Sequence, residues 1–336
     1  MSRSVTSIDV ARLAGVSQSA VSRAFTPTAS VSAEMRHKVY DAARKLGYRP
    51  NAIARSLSSR RSRIIGVVVS YLENQFYPVM VERLSKRLRQ HGYHLLLFCA
   101  DTQETDELLA EILQYQVDGI VMASTTLSSG VARTCAEAGI PVVLFNRTSH
   151  PGPSSSVAAD NAGGGREVGR MLCGAGHERI GYIAGLEDTS TSRDREQGFL
   201  EGLAEHGRRC FSRAVGNYQF EGAQRAALAM FSGIPRPDAV FVANDHMAIA
   251  VMDTLRQQLG LRVPEDVSVV GFDDVPQAAW GSYQLTTVRQ PVDEMIEATV
   301  ALLIRQIDDE QARCEVIVLP AKLVLRNSAR VPATHR

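Results

Sequence analysis

From Ile64 onward, short apolar runs alternate with amphipathic segments over about 270 residues. The runs Ile64–Val69, Tyr93–Phe98, Gly119–Met122, Pro141–Phe145, Ile180–Ala184, Ala239–Val242 and Val267–Phe272 have the length and composition of buried strands. Val79–His91, Asp106–Gln114, Ala162–Cys173 and His246–Leu259 lie between them with helical periodicity. This alternation predicts α/β architecture with parallel sheets. So long a stretch exceeds what one hydrophobic core usually supports, so a two-lobed body is expected. Ligands of such sheets bind beyond the carboxyl ends of the strands. In a two-lobed body that places them in the cleft between lobes.

The residues before Ile64 are of another kind. Residues 1–63 carry a net charge of +9, and the remainder carries −8. A basic head on an acidic body points to a polyanion met by the head alone. Three short helices are readable. Ser7 is expected to cap Ile8–Ala14, with Gly15 as its left-handed stop; Ser17 caps Gln18–Phe25; Ser32 opens a third helix that Gly47 ends. The minimal turn Ala14-Gly15-Val16-Ser17 between the first two is the layout of a helix-turn-helix. Gln18, Ser19, Ser22 and Arg23 then face outward from the second helix, as a major-groove reader requires.

The stretch Ile8-Asp9-Val10-Ala11-Arg12-Leu13-Ala14-Gly15-Val16-Ser17, with Ala20-Val21-Ser22-Arg23 and Leu46-Gly47-Tyr48-Arg49-Pro50-Asn51, resembles the head of the LacI/GalR family of transcriptional regulators. The body is similar to that family and to its sugar-binding periplasmic relatives. The similarity lies in Arg195-Glu196-Gln197-Gly198-Phe199, Val242-Ala243-Asn244-Asp245, Val269-Val270-Gly271-Phe272-Asp273-Asp274 and Leu285-Thr286-Thr287-Val288. The resemblance implies a helix-turn-helix head over residues 1–50, a hinge helix and linker over 51–63, and an effector-binding body over 64–336. The N-lobe would take in about 64–160 and 290–320, and the C-lobe about 161–289 and 321–336.

It also implies the sites. DNA would meet Ser17, Gln18, Ser19, Ser22 and Arg23 of the head. In the hinge it would meet Asn51, Ala54 and Leu57, the last two wedging into the minor groove. Thr26 departs from the Asn common after the recognition helix. The effector would meet Phe76, Tyr77, Asn146, Arg195, Tyr218, Asn244 and Asp273. A sugar or sugar acid is expected. Arg147, Arg193 and Arg195 tilt the expectation toward an acid. Ser282-Tyr283-Gln284 departs from the Pro-rich approach common in the family near the mouth of the cleft, and the sole tryptophan, Trp280, falls in the same loop, where it is a candidate to face the cleft.

Enzyme chemistry is not expected. Gly163-Gly164-Gly165 lacks the Lys and Ser/Thr of a phosphate loop. His177, His206 and His246 lack ligand spacing, and the five cysteines form no CxxC pair. Neither metal nor cofactor is implied. No apolar run reaches the roughly 18 residues of a membrane span, and the opening residues lack a signal-peptide pattern. The expectation is a cytoplasmic homodimer on a pseudopalindromic operator, without membrane contact. A solute-binding protein of a sugar transporter, or a sugar-modifying enzyme, would share the body; the head and hinge argue against both.

Overall fold

The computed structural model describes residues 5–25, 29–49, 61–99, 105–123, 129–148, 154–309 and 311–332. The chain divides into two compact units between Ser62 and Arg63.

The first unit is a three-helix head: α1 (Ser7–Ala14), α2 (Gln18–Ala24) and α3 (Ala33–Leu46). α1 begins one residue earlier than expected. Thr6, not Ser7, is its cap, because Thr6 and Asp9 close a reciprocal capping box. Gly15 and Gly47 end α1 and α3 at φ 66° and 68°, a conformation in which a side chain would be strained. Val10, Ala11, Val21, Ala24, Val39 and Ala42 form the buried centre. Arg36 and Tyr40 of α3 both donate to the carbonyl of Ala24, at 3.0 and 3.2 Å, and pin the end of α2.

Among the described residues, the second unit holds two six-stranded sheets. The first comprises β1 (Ile64–Val69), β2 (His94–Cys99), β3 (Gly119–Ala123), β4 (Val142–Phe145), β5 (Ser155–Ala159) and β11 (Val316–Leu319), in the order β11-β5-β4-β3-β1-β2, all parallel. The second comprises β6 (Ile180–Ala184), β7 (Ser212–Val215), β8 (Ala239–Val242), β9 (Ser268–Asp273), β10 (Thr286–Arg289) and β12 (Lys322–Val324), in the order β12-β10-β9-β8-β6-β7. Only β12 runs antiparallel. The chain passes between the sheets three times, after β5, β10 and β11.

Among the described residues, helices α4 (Phe76–Gln90), α5 (Thr105–Gln114), α6 (Ser129–Glu137) and α11 (Val292–Asp308) lie in the first lobe by sequence position. α7 (Asn161–Gly174), α8 (Ser190–Ala204), α9 (Phe220–Phe231) and α10 (Asp245–Asp253) lie in the second. α7 and α8 pack backbone to backbone. A Cβ on Gly165 would stand 2.2 Å from the carbonyl oxygen of Arg195, and one on Gly198 1.9 Å from that of Ala162. Of the triple glycine, Gly165 serves the helix contact, Gly164 lies against the Phe272 and Val288 side chains of the sheet, and Gly163 leaves room for Asp160, which caps the turn by accepting from Gly163 N–H at 2.8 Å.

Candidate functional site

In the head, Ser17 caps α2 by accepting the Ala20 N–H at 3.2 Å, and its hydroxyl lies 2.9 Å from that of Ser19. Gln18 donates to the Ser7 hydroxyl at 3.0 Å. Ala20, Val21 and Ala24 are buried, while Ser17, Gln18, Ser19, Ser22 and Arg23 are all exposed. α2 thus presents one polar face on a rigid support. Asn51, Ala54 and Leu57, like Thr26, lie outside the described residues.

In the body, a cavity lies at the carboxyl ends of the strands of both sheets. Tyr71 and Asn74 follow β1, Tyr77 sits in the first turn of α4, and Asn146 and Arg147 follow β4. From the other lobe come Thr191 and Arg195 of α8, Tyr218 before α9, Asn244 before α10 and Asp273 at the end of β9. The lobes are closed: only about 10 Å³ remains, room for a single water-sized sphere. Hydrogen bonds span them. Arg147 Nη1 donates to Thr191 Oγ1 at 2.9 Å, Thr148 N–H to Ser190 Oγ at 3.1 Å, and Asn74 Nδ2 to Asp273 Oδ2 at 3.5 Å.

Arg195 anchors the site although it is only 2% exposed. Its Nε donates to Asn161 Oδ1 at 2.8 Å and its Nη1 to the Ala243 carbonyl at 2.6 Å. Its Nη2 faces Asp273 at 3.4 Å, and the guanidinium lies 3.8 Å from the centre of the Phe272 ring. Asp273 also accepts from Gln290 Nε2 at 2.7 Å. Burial pushes the Asp273 carboxyl above the usual carboxylate range; Arg195, Gln290, Asn74 and Arg147 work against that. Burial likewise raises Tyr71 and Tyr77, so both keep their hydroxyl protons.

Polar atoms of this cavity buried without a hydrogen-bond partner include Asn146 Oδ1 and Asn244 Nδ2. Orphaned groups of this kind carry a desolvation cost that a ligand can relieve. Backbone strain is concentrated here too. Asn146, Tyr218 and Asp273 have φ of 57°, 59° and 128°, each a conformation that side chains rarely adopt. Nothing in the cavity pairs a nucleophile with a base, and no group of His, Cys, Asp and Glu among the described residues is arranged to hold a metal.

The model of the lacI family of bacterial regulatory proteins matches residues 7–51, and that of the periplasmic binding protein-like domain matches 169–329. The ribose operon repressor of Escherichia coli (strain K12) is 32% identical over 96% of this chain and 98% of its own length. The chain belongs to the lacI family. The HTH-type transcriptional repressor PurR of Photobacterium profundum is 30% identical over 96% of this chain and 98% of its own. The crystal structure of the Lac repressor dimer bound to operator and the anti-inducer ONPF superposes with a TM-score of 0.86 at 27% identity, covering 97% of this chain and 99% of that one. As a member of the lacI family, the protein is a DNA-binding transcriptional repressor with an effector-binding body, and not an enzyme.

Of the effector residues expected from the sequence, Tyr77, Asn146, Arg195, Tyr218, Asn244 and Asp273 converge on the closed cavity. Phe76 does not join them. It is 3% exposed, packs on Tyr77 and Phe145, and borders an adjoining cavity of about 640 Å³ beside Pro291 and Pro320, which Asp273 also lines. That cavity is larger, yet its charges are largely spent on each other, as in Arg83–Asp293 and Arg289–Asp274. Asn244 is both cap and wall: its Oδ1 accepts the Met247 N–H at 3.0 Å, which leaves Nδ2 for the cavity. Sequence reasoning does not single out Tyr71, Asn74 or Thr191. Asn74 and Thr191 precede or open helices, where polar residues are common, so nothing local marks them. Arg193 is exposed on α8 and donates to the Asp188 carbonyl at 2.9 Å, away from the cavity. Trp280 is 55% exposed and does not border the cavity.

Proposed function

We propose that the protein is a cytoplasmic homodimer that represses transcription from a pseudopalindromic operator, and that a neutral sugar in the interlobe cavity controls it. Ser17, Gln18, Ser19, Ser22 and Arg23 contact DNA from α2. Asn51, Ala54 and Leu57 complete the contact from the hinge, one hinge from each protomer. The effector contacts are Tyr77, Asn146, Arg195, Tyr218, Asn244 and Asp273, with Phe76 behind Tyr77. Assembly and localisation follow the family: the Lac repressor is a dimer on its operator, and no helix among the described residues is long and apolar enough to cross a membrane.

One observation carries the choice of a neutral ligand. Arg195 is paired with Asp273, whose negative charge offsets it, and Arg147 Nη1 donates to the Thr191 hydroxyl and the Asn146 carbonyl. The buried atoms left open include an acceptor, Asn146 Oδ1, and a donor, Asn244 Nδ2. Hydroxyls satisfy both, since each donates and accepts. Three tyrosines in the wall suit the apolar face of a sugar ring. The name of the ribose operon repressor makes D-ribose the first candidate; that of the relative PurR makes a purine the second.

Ligand entry requires the lobes to part, because the closed cavity cannot hold a sugar ring. Parting exchanges the Arg147–Thr191, Thr148–Ser190 and Asn74–Asp273 contacts for contacts to the ligand. That is the two-state element through which effector and operator are linked.

The test is a thermal-shift panel of neutral sugars, sugar acids, sugar phosphates and purines on the full-length protein, followed by operator retardation with the best binder. A neutral sugar at 100 times its dissociation constant should add about 2.7 kcal/mol of stability. A shift from sugar acids or purines alone would replace this reading.

A further inference from the structure

Asp245, the residue after the Asn244 cap, is fully buried. Its carboxylate accepts the Thr287 hydroxyl at 2.5 Å and the Val275 N–H at 2.9 Å. Three elements therefore meet on it: the start of α10, strand β10 and the bend that follows β9. The backbone of β9 closes another side, since a Cβ on Gly271 would stand 2.2 Å from Asp245 Oδ1. That bend is strained. Asp273 and Asp274 have φ of 128° and 59°, and Val275, whose N–H Asp245 holds, comes directly after them. Asp274 is fixed separately by Arg289 and Arg326, at 2.5 and 2.6 Å.

The electrostatics around Asp245 are one-sided. Asp273 and Asp274 face it from the end of β9. The neighbouring cations are committed to those two residues: Arg195 of α8 to Asp273, and Arg289 and Arg326 to Asp274. No hydrogen bond or ion pair joins a cation to Asp245 among the described residues.

We propose that Asp245 is a positioning residue for the effector: it straps the Asp273–Asp274 bend in its strained form, and effector binding is linked to a proton on its carboxyl group. The proposal rests on the reading of the interlobe cavity as the effector site.

Burial and the Asp273 charge push Asp245 up to about 7, against the pull of the Thr287 and Val275 donors. An effector whose hydroxyls donate to Asp273 keeps that carboxylate ionised while removing it further from water. A second anion beside it then becomes more costly. The bound form therefore prefers Asp245 protonated, and affinity falls as pH rises through about 7.

The experiment titrates D-ribose into the full-length protein by calorimetry at about pH 6 and about pH 8.5, in buffers of different ionisation heat. Wild type should bind more weakly at the higher pH, by up to about tenfold per pH unit, and take up protons on binding. Asp245→Asn keeps an acceptor for Val275 and presents a donor to Thr287. It should bind about as tightly as wild type at low pH, with no pH dependence. Asp245→Ala releases the bend and should bind at least about tenfold more weakly at both values. His246→Gln is the control, because burial pushes the neighbouring His246 down, against Glu73 and Glu221, and it too can exchange a proton; the wild-type profile should survive it. A flat wild-type profile without proton uptake, or a pH dependence unchanged in Asp245→Asn, overturns the proposal. A ligand-free arm separates it from the sugar reading. The melting temperature of wild type should fall more steeply from low to high pH than that of Asp245→Asn. Absence of ribose binding sinks ribose as the effector, whereas equal slopes in the melts sink the proton on Asp245.

Discussion

Replacing Gly198 by alanine is expected to destabilise the body by about 1.5–5 kcal/mol and to weaken effector binding at least about tenfold. A Cβ there stands 1.9 Å from the carbonyl oxygen of Ala162. Reaching an ordinary contact of 3.4 Å means a retreat of about 1.5 Å between α7 and α8. The clashing atom is backbone and has no rotamer to change. Overpacking of this kind costs about 1–3 kcal/mol. The same interface carries the 2.8 Å bond from Arg195 Nε, one turn before Gly198, to Asn161, next to Ala162. Stretched by 1.5 Å it is no longer a hydrogen bond, and a buried charged one is worth about 1.5–3 kcal/mol. Alanine recovers about 1 kcal/mol through its better helix propensity. Urea denaturation gives the stability, and calorimetric titration gives the affinity. Gly233→Ala is the control, since nothing lies within 4 Å of a Cβ there. If Gly198→Ala is as stable as wild type to within about 0.5 kcal/mol, the α7–α8 contact is not as tight as drawn and the link to Arg195 fails.

Three further outcomes are expected. Ser17→Ala removes the cap of α2 and should cost the head about 1 kcal/mol, with weaker operator retardation; unchanged retardation would mean that the helix start does not depend on that hydroxyl. Arg195→Met strands Asp273 as a buried charge and should cost about 3–5 kcal/mol at neutral pH, less in acid, where Asp273 can protonate; a pH-independent loss would refute the pairing. Burial, then the Arg330 guanidinium, pushes His177 down to about 4, with Asp238 opposing. His177 is therefore neutral in the fold, and the unfolded chain takes up the proton first as pH falls below its ordinary 6.5. On the order of 3 kcal/mol should be lost between those two values, and His177→Gln should lack that part of the acid transition.

The head was legible because its signals are local. Ser17, Ser32, Gly15 and Gly47 act within one turn of where they stand, and the apolar spacing of α2 leaves Gln18, Ser19, Ser22 and Arg23 outside without reference to anything distant. The one boundary that moved, Thr6 for Ser7, turned on two adjacent hydroxyls competing for the same role, decided by Asp9 three residues further on. The strands of the body were legible where they are long and apolar. β5, β7, β10, β11 and β12 were not: Ser155–Ala159 and Ser212–Val215 are small and polar in sequence, and become strands only because a neighbouring strand is there to pair with.

The cavity shows where local reading stops. Strand ends in a parallel sheet converge by topology, so Asn146, Asn244 and Asp273 were findable from the runs that precede them. The partners of those residues were not, because the pairings are remote: Asn74 reaches Asp273 across 199 positions, and Arg195 reaches the Ala243 carbonyl across 48. The consequence is chemical. Counting arginines near the cleft favours an acidic ligand, whereas the contacts give Arg195 to Asp273, Arg147 to Thr191 and Arg193 to the surface. The charge a ligand meets is therefore set by which side chains find one another after folding. Asp245 follows the same logic: in the sequence it is a helix-start carboxylate, the place where such a residue is usually ionised and stabilising. It is buried beside Asp273, with no cation joined to it among the described residues, and its carboxyl is pushed up to about 7. A residue whose local role favours charge and whose tertiary surroundings oppose it is the one through which pH can reach the effector site.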